Sequence, residues 1–159
     1  MNSKNKIVSP KFAHLFDISL VIGEAHDLGE TPNGKKRIVQ VVGGEFMGDR
    51  VRGNVRTESA ADWVLIRPDL SIKLDVRLTL ETVDNALVHM RYEGIRHASS
   101  KIAKQLSSNK RVDPGDYYWR ISPFFETSSK KYNWMNKIVS FGMGEKNGTH
   151  VSYAVFELM

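Results

Sequence analysis

The stretch SIKLDVRLTLETVDNALVHMRYEGIR, Ser71 to Arg96, decides the fold. Apolar and polar residues alternate on both sides of Val83-Asp84-Asn85, the pattern of two β-strands joined by a tight turn. A three-residue loop fits: a type I turn closed by a left-handed residue, where Asn is the best choice after Gly. Thr82 then pairs with Ala86, Leu80 faces Val88, Leu78 faces Met90 and Val76 faces Tyr92. On the other surface Glu81 faces Leu87, Thr79 faces His89, Arg77 faces Arg91 and Asp75 faces Glu93. A two-residue loop would slip the register by one and set Arg91 beside Leu78, mixing the surfaces.

The same period runs outward from this hairpin. Strands are predicted over 12–24, 35–42, 46–56, 61–67, 71–82, 86–96, 117–127, 134–146 and 149–158. Gly43-Gly44 marks a break or bulge, and Asn147-Gly148 a hairpin turn. Only residues 98–109 show helical spacing, through Ile102, Ala103 and Leu106, with Ser99 or Ser100 as a cap. Eight or nine strands with one short helix make an all-β fold. Long strands carrying internal glycines favour a single closed antiparallel barrel, which also removes exposed edges. Residues 1–11 read as a flexible basic tail and 12–159 as one barrel domain, since 159 residues leave no room for a second core.

Composition narrows the function classes. The chain has no cysteine, so thiolate chemistry, disulfides and Cys-based metal sites are excluded. No apolar run approaches the roughly 20 residues that cross a bilayer, and the polar start shows no secretory signal. A cytoplasmic protein without membrane attachment is expected. The net charge of +5 sits largely in the tail (Lys4, Lys6, Lys11) and beside a turn (Lys35, Lys36, Arg37), not in an aromatic-interleaved stripe. Nucleic acid is therefore not expected as a partner. Arg50, Arg52 and Arg56 fit a solvated strand face, with an anion-binding patch as the alternative.

No phosphate loop, dinucleotide fingerprint, nucleophile elbow or zinc-binding helix is present. The five His residues are scattered, and His14 and Asp17 fall on opposite faces of a regular strand, so no metal and no cofactor are expected. Carboxylates with Arg and Tyr partners remain for acid–base work. An Asp62 desolvated inside a barrel beside Trp63 would have a raised pKa, suited to a general acid or base, but taken alone Asp62-Trp63 reads as a strand start with a core Trp.

The motif series also carries a resemblance. Gly43-Gly44-x-Phe46-x-Gly48-x4-Gly53, then Ala61-Asp62-Trp63, is similar to a family of small bacterial and fungal proteins. That family is labelled a domain of unknown function, number thirty-two thirty-seven. The likeness continues through Leu74-Asp75-Val76-Arg77-x-Thr79-Leu80-x-Thr82-x-Asp84 and Gly94-x-Arg96. It ends with Tyr117-Tyr118-x-Arg120-x-x-Pro123-x-Phe125-Glu126-Thr127 and Tyr132-x-Trp134-x-Asn136. The family's Gly before Asp-Trp is Ala60 or Ala61 here, and its hairpin Asp-Gly is Asp84-Asn85. The resemblance implies a lipocalin-like or allene-oxide-cyclase-like barrel. It nominates Asp62, Asp75, Arg77, Arg120, Glu126 and Asn136 as polar positions, with Tyr118, Trp63 and Trp134 as walls.

The charged surface of the hairpin either meets water or lines a pocket. If it lines one, Asp75 and Arg77 converge with Tyr118 and Arg120 on a single cavity. The resulting expectation is an internal site for a small, partly apolar, carbonyl- or carboxylate-bearing metabolite, and a cofactor-free isomerase, cyclase or lyase. Asp62 or Asp75 would move the proton and Tyr118 would donate a hydrogen bond. Arg77 and Arg120 would hold negative charge, and Trp63, Glu126, Trp134 and Asn136 would complete the binding surface. A non-catalytic small-molecule binder and a purely structural oligomeric barrel are the alternatives. Apolar residues on both faces of the first, seventh and last strands predict a homodimer.

Overall fold

The structure, a computed structural model, describes residues 9–159, so most of the expected basic tail lies outside the described residues. Among them, eight antiparallel strands close into one barrel in chain order, β8 pairing back onto β1. The strands are β1 (Phe12–Thr31), β2 (Gly34–Met47), β3 (Arg52–Ile66), β4 (Ile72–Thr82), β5 (Leu87–His97), β6 (Tyr118–Glu126), β7 (Val139–Asn147) and β8 (His150–Leu158). Helix α1 (Ser100–Ser107) follows β5, capped by the Ser99 side chain accepting from the Ile102 amide.

The β4–β5 register is the predicted one: Val76 opposes Tyr92, Leu78 opposes Met90 and Asp75 opposes Glu93. Asn85 takes the left-handed conformation at φ 63°. Elsewhere the boundaries move. Residues 46–56 do not form one strand, because the chain turns after Met47 and Phe46 belongs to β2. The predicted third and fourth strands are instead one bulged β3. Gly53 allows the close approach this needs, since a Cβ there would lie 2.0 Å from the Glu81 carbonyl oxygen. Residues 133–137 form a short 3₁₀ turn ahead of β7. The last hairpin turns at Gly148-Thr149, one residue later than predicted, with Asn147 opposite His150.

Bulges also reset which residues face inward. Leu15 and Phe16 are both buried at an irregularity in β1, which brings His14 and Asp17 to the same outer side, 3.0 Å apart. That corrects the expectation from regular alternation. A second shift lies between Arg56 and Ala61 of β3. Val55 points inward before it, and Ala60 and Asp62 after it. Without that bulge, Trp63 would face the lumen and Asp62 the solvent.

The apolar face of the β4–β5 hairpin fills the lumen: Leu74, Val76, Leu78, Leu80, Val88, Met90 and Tyr92 are all buried. One end is packed solid around Phe16, with Phe46 and Phe125 rings 5.5 and 5.9 Å away. Buried Met135 and Tyr132 belong to the segment covering that end. The other end, under α1, is not filled. On the outer wall Phe12, Phe141 and Phe156 pack against one another at 5.4–5.7 Å.

Candidate functional site

The unfilled end holds a cavity of about 240 Å³. Aliphatic side chains such as Leu20, Val41, Val64, Ile72 and Val76 make most of its wall. Set into that wall are Asp62 from β3, Tyr92 and Arg96 from β5, Trp119 from β6, Lys146 from β7 and Tyr153 from β8. Arg37 also lines it, and Leu106 and Ser107 of α1 contribute to its wall. Asp62, Tyr92, Arg96, Lys146 and Tyr153 each occupy an inward strand position whose neighbouring inward strand positions are apolar or glycine.

Asp62 retains some accessibility, yet burial pushes its carboxyl up to about 7. The Asp75 amide, donating to Asp62 Oδ1 at 3.2 Å, and the Arg96 charge oppose that push without cancelling it. Burial also weakens the proton affinity of Arg96, whose guanidinium lies 4.8 Å from the Trp119 ring centroid. Among the described residues Arg96 forms no salt bridge, although Asp62 lines the same cavity. Tyr92 and Tyr153, edge-to-face at 5.4 Å, are both pushed up by burial and stay neutral phenols at neutral pH. Lys146 is lowered by burial and then by Arg96; its Nζ donates to the Leu106 carbonyl at 3.0 Å, tying α1 to the barrel. A carboxyl titrating near neutrality, a cation and two phenols in an apolar cavity can move a proton and stabilise negative charge.

A family described as "Protein of unknown function (DUF3237)" matches residues 10–158. The chain belongs to the DUF3237 family. Among its relatives, the UPF0311 protein RPA1785 of Rhodopseudomonas palustris is 31% identical over 146 residues, 92% of this chain and 95% of that one. The crystal structure of RPA1785 superposes with a TM-score of 0.91 at 30% identity, covering 96% of this chain and 99% of that one. A beta-barrel like protein from Acinetobacter baumannii gives 0.84 at 34% identity, covering 98% and 100%. An enzyme from Penicillium herquei gives 0.71 at 20% identity, covering 97% and 98%, and shares the fold.

Of the DUF3237 positions nominated from sequence, Asp62 is in the cavity and the others are not. The charged face of β4 points outward, because the apolar face takes the lumen. The Asp75 carboxylate meets Arg77 at 3.5 Å on the outer wall, and Arg77 lies over the outer Trp63 ring at 5.0 Å. Tyr118 is outside too, stacked on His97 at 5.1 Å, with the Arg120 guanidinium 4.9 Å from its ring centroid. Arg120 donates to the Trp119 carbonyl at 2.9 Å. Strand β5 separates these two groups, so the predicted convergence of Asp75, Arg77, Tyr118 and Arg120 does not occur. Glu126 is exposed and 3.6 Å from His89. Trp134 lies beneath Arg50 at 4.0 Å, towards the packed end. Asn136 holds the Thr127 amide and carbonyl at 2.8 and 3.0 Å, a loop clamp.

Sequence reasoning missed Arg96, Trp119, Lys146, Tyr92 and Tyr153. A signal existed: Arg96 shares parity with Tyr92, Lys146 with Gly142 and Gly144, and Asp62 with Val64 and Ile66. A charge on the apolar side of a barrel strand is the informative residue. The charges on the polar side are ordinary.

Proposed function

We propose that the chain is a cofactor-free proton-transfer enzyme acting on a small carbonyl-bearing metabolite, with Asp62 as the acid–base group. The observation that carries this reading is the Asp62 carboxyl, raised to about 7 inside an otherwise largely aliphatic cavity. A base works best when its pKa is close to the operating pH, and burial supplies that here. As carboxylate, Asp62 takes a proton from carbon next to a carbonyl. The electron pair moves onto the carbonyl oxygen, where the Arg96 charge favours it. As carboxylic acid, Asp62 returns the proton to the same or a neighbouring carbon, giving exchange or isomerisation with no net redox change. The cavity equals about eight waters' share of liquid volume, which sets the scale of the substrate.

Deuterium incorporation from D₂O into a panel of small ketones, 2-oxo acids and β-keto acids, followed by proton NMR, tests the proposal. The wild type should catalyse exchange of at least one compound, and Asp62→Asn should slow it by about 10²–10⁴-fold. Exchange no faster than in buffer, or undiminished in Asp62→Asn, refutes the enzyme reading. A binding protein without turnover would use the same cavity, and the unpaired Arg96 charge would serve it equally.

A further inference from the structure

The inner wall of the cavity holds more hydrogen-bond donors than acceptors. Trp119 is buried, and its indole N–H has no hydrogen-bond partner. Arg96, stacked on the Trp119 ring, offers guanidinium donors and accepts nothing. The Trp119 and Tyr153 rings meet edge-to-face at 5.8 Å. Tyr92 lies edge-to-face against Tyr153 at 5.4 Å on the same wall.

The other charges of the cavity are engaged. Arg37 reaches Asp27 at 3.3 Å, and Lys146 donates to the Leu106 carbonyl. Asp62 already accepts the Asp75 amide. Arg96 therefore faces the cavity without a carboxylate partner, beside two phenols and an indole whose N–H lacks an acceptor. Such a cluster is complete only when an acceptor with negative charge enters it.

We propose that Arg96 and Tyr153 form an oxyanion seat backed by Trp119, so that the cavity selects monoanionic ligands carrying a planar carboxylate or enolate. This names the ligand class for the proposed site and rests on that cavity being the site, but not on turnover. Arg96 and Tyr153 touch the oxyanion; Trp119 is a positioning residue that orients Tyr153. Gly144 belongs to the same construction: a Cβ there would lie 2.7 Å from Tyr153 Cε1 and 2.8 Å from Trp119 Cγ, so its absence lets the two rings sit as they do.

The chain has three tryptophans, so a ¹⁵N-labelled sample gives three indole signals: Trp63 and Trp134 away from the cavity and Trp119 in it. Titration with acetate and benzoate, against acetamide and benzamide as neutral counterparts, reads the seat directly. At least one carboxylate should move the Trp119 signal saturably and leave the other two in place, with its amide about ten-fold weaker or more. Tyr153→Phe should weaken the carboxylate several-fold, and Arg96→Gln should abolish the preference over the amide. Trp119→Phe keeps an aromatic ring and loses the N–H. Followed by the remaining cavity signals, it should bind more weakly than wild type. Equal binding of amide and carboxylate, movement confined to Trp63 or Trp134, or no movement with either carboxylate overturns the proposal. If Arg96→Gln does not fold, the wild-type comparison and Tyr153→Phe decide. Loss of deuterium exchange in Asp62→Asn alongside no carboxylate preference would leave proton transfer standing and remove the seat. Carboxylate preference without exchange would do the reverse.

Discussion

The two ends of the barrel lumen are built from the same strands and behave as different materials. At the closed end, Phe16, Phe46 and Phe125 interlock with Leu80, Val88 and Met90, none more than a few per cent exposed. The loops there are clamped by Asp84, whose carboxylate takes the Thr82 hydroxyl, the Tyr132 hydroxyl and the Lys131 ammonium at 2.6–2.8 Å. Those donors hold its pKa far below the usual carboxylate range. At the open end the inward positions carry Asp62, Arg96 and Lys146, and side chains do not fill the space between them. One acid is stabilised in its charged form by donors at the surface; the other is pressed towards its neutral form by burial. Stability is concentrated at one end, which leaves the other free to hold polar groups at a cost to folding.

Truncation separates the ends most strongly. Phe46→Ala at the closed end should cost about 3–5 kcal/mol, read from denaturant unfolding, because the gap it leaves cannot collapse. Ile22→Ala at the open end should cost under about 2 kcal/mol, since that side chain already borders empty space. Similar losses at both ends would dissolve the distinction.

Asp62 gives the next effect, with a defined sign. Its folded pKa of about 7 exceeds the ordinary 3.8, so between those values the folded state holds a proton that the unfolded state has lost. Stability therefore falls as pH rises through that window and levels off above it. Asp62→Asn removes the penalty while its side-chain oxygen can still accept the Asp75 amide. The variant should exceed wild type by on the order of 2–4 kcal/mol above pH 7, with the gap closing towards pH 4. A gap independent of pH would mean that Asp62 is not desolvated.

Gly144→Ala probes the wall of the open end. Its Cβ must displace Trp119 or Tyr153, costing about 1–3 kcal/mol and changing carboxylate preference more than the closed-end variants do. The smallest effect belongs to the outside. Arg77→Ala should change stability by no more than a few tenths of a kcal/mol and leave deuterium exchange intact, because Arg77 and Asp75 form an exposed pair. Loss of exchange in that variant would bring the outer wall back into the site.

Much of the architecture was legible before the structure. The hairpin register followed from keeping Leu78 and Met90 on one surface, and Asn85 marked its own left-handed turn residue. Ser99 announced the helix. Of the site, Asp62 was legible as a candidate, but its cavity neighbours were not. Arg96 looked like a strand end, and nothing singled out Trp119.

Alternation determines that a strand has two faces and which residues share each one. It does not determine which face is inside when both carry large side chains, nor does it survive an extra residue in a bulge. Closure of the barrel settled the first question: eight strands leave a lumen that side chains can fill, and the hairpin's aliphatic face gains more by filling it than its charged face would. The β3 bulge settled the second by turning Asp62 inward and Trp63 outward. By itself the sequence determined the all-β character, the pairing partners around the hairpin and the family. Only the tertiary structure decided that Asp62, Arg96, Trp119 and Tyr153, drawn from four strands far apart in the chain, share one cavity, because nothing local in any of them encodes the curvature that brings them together.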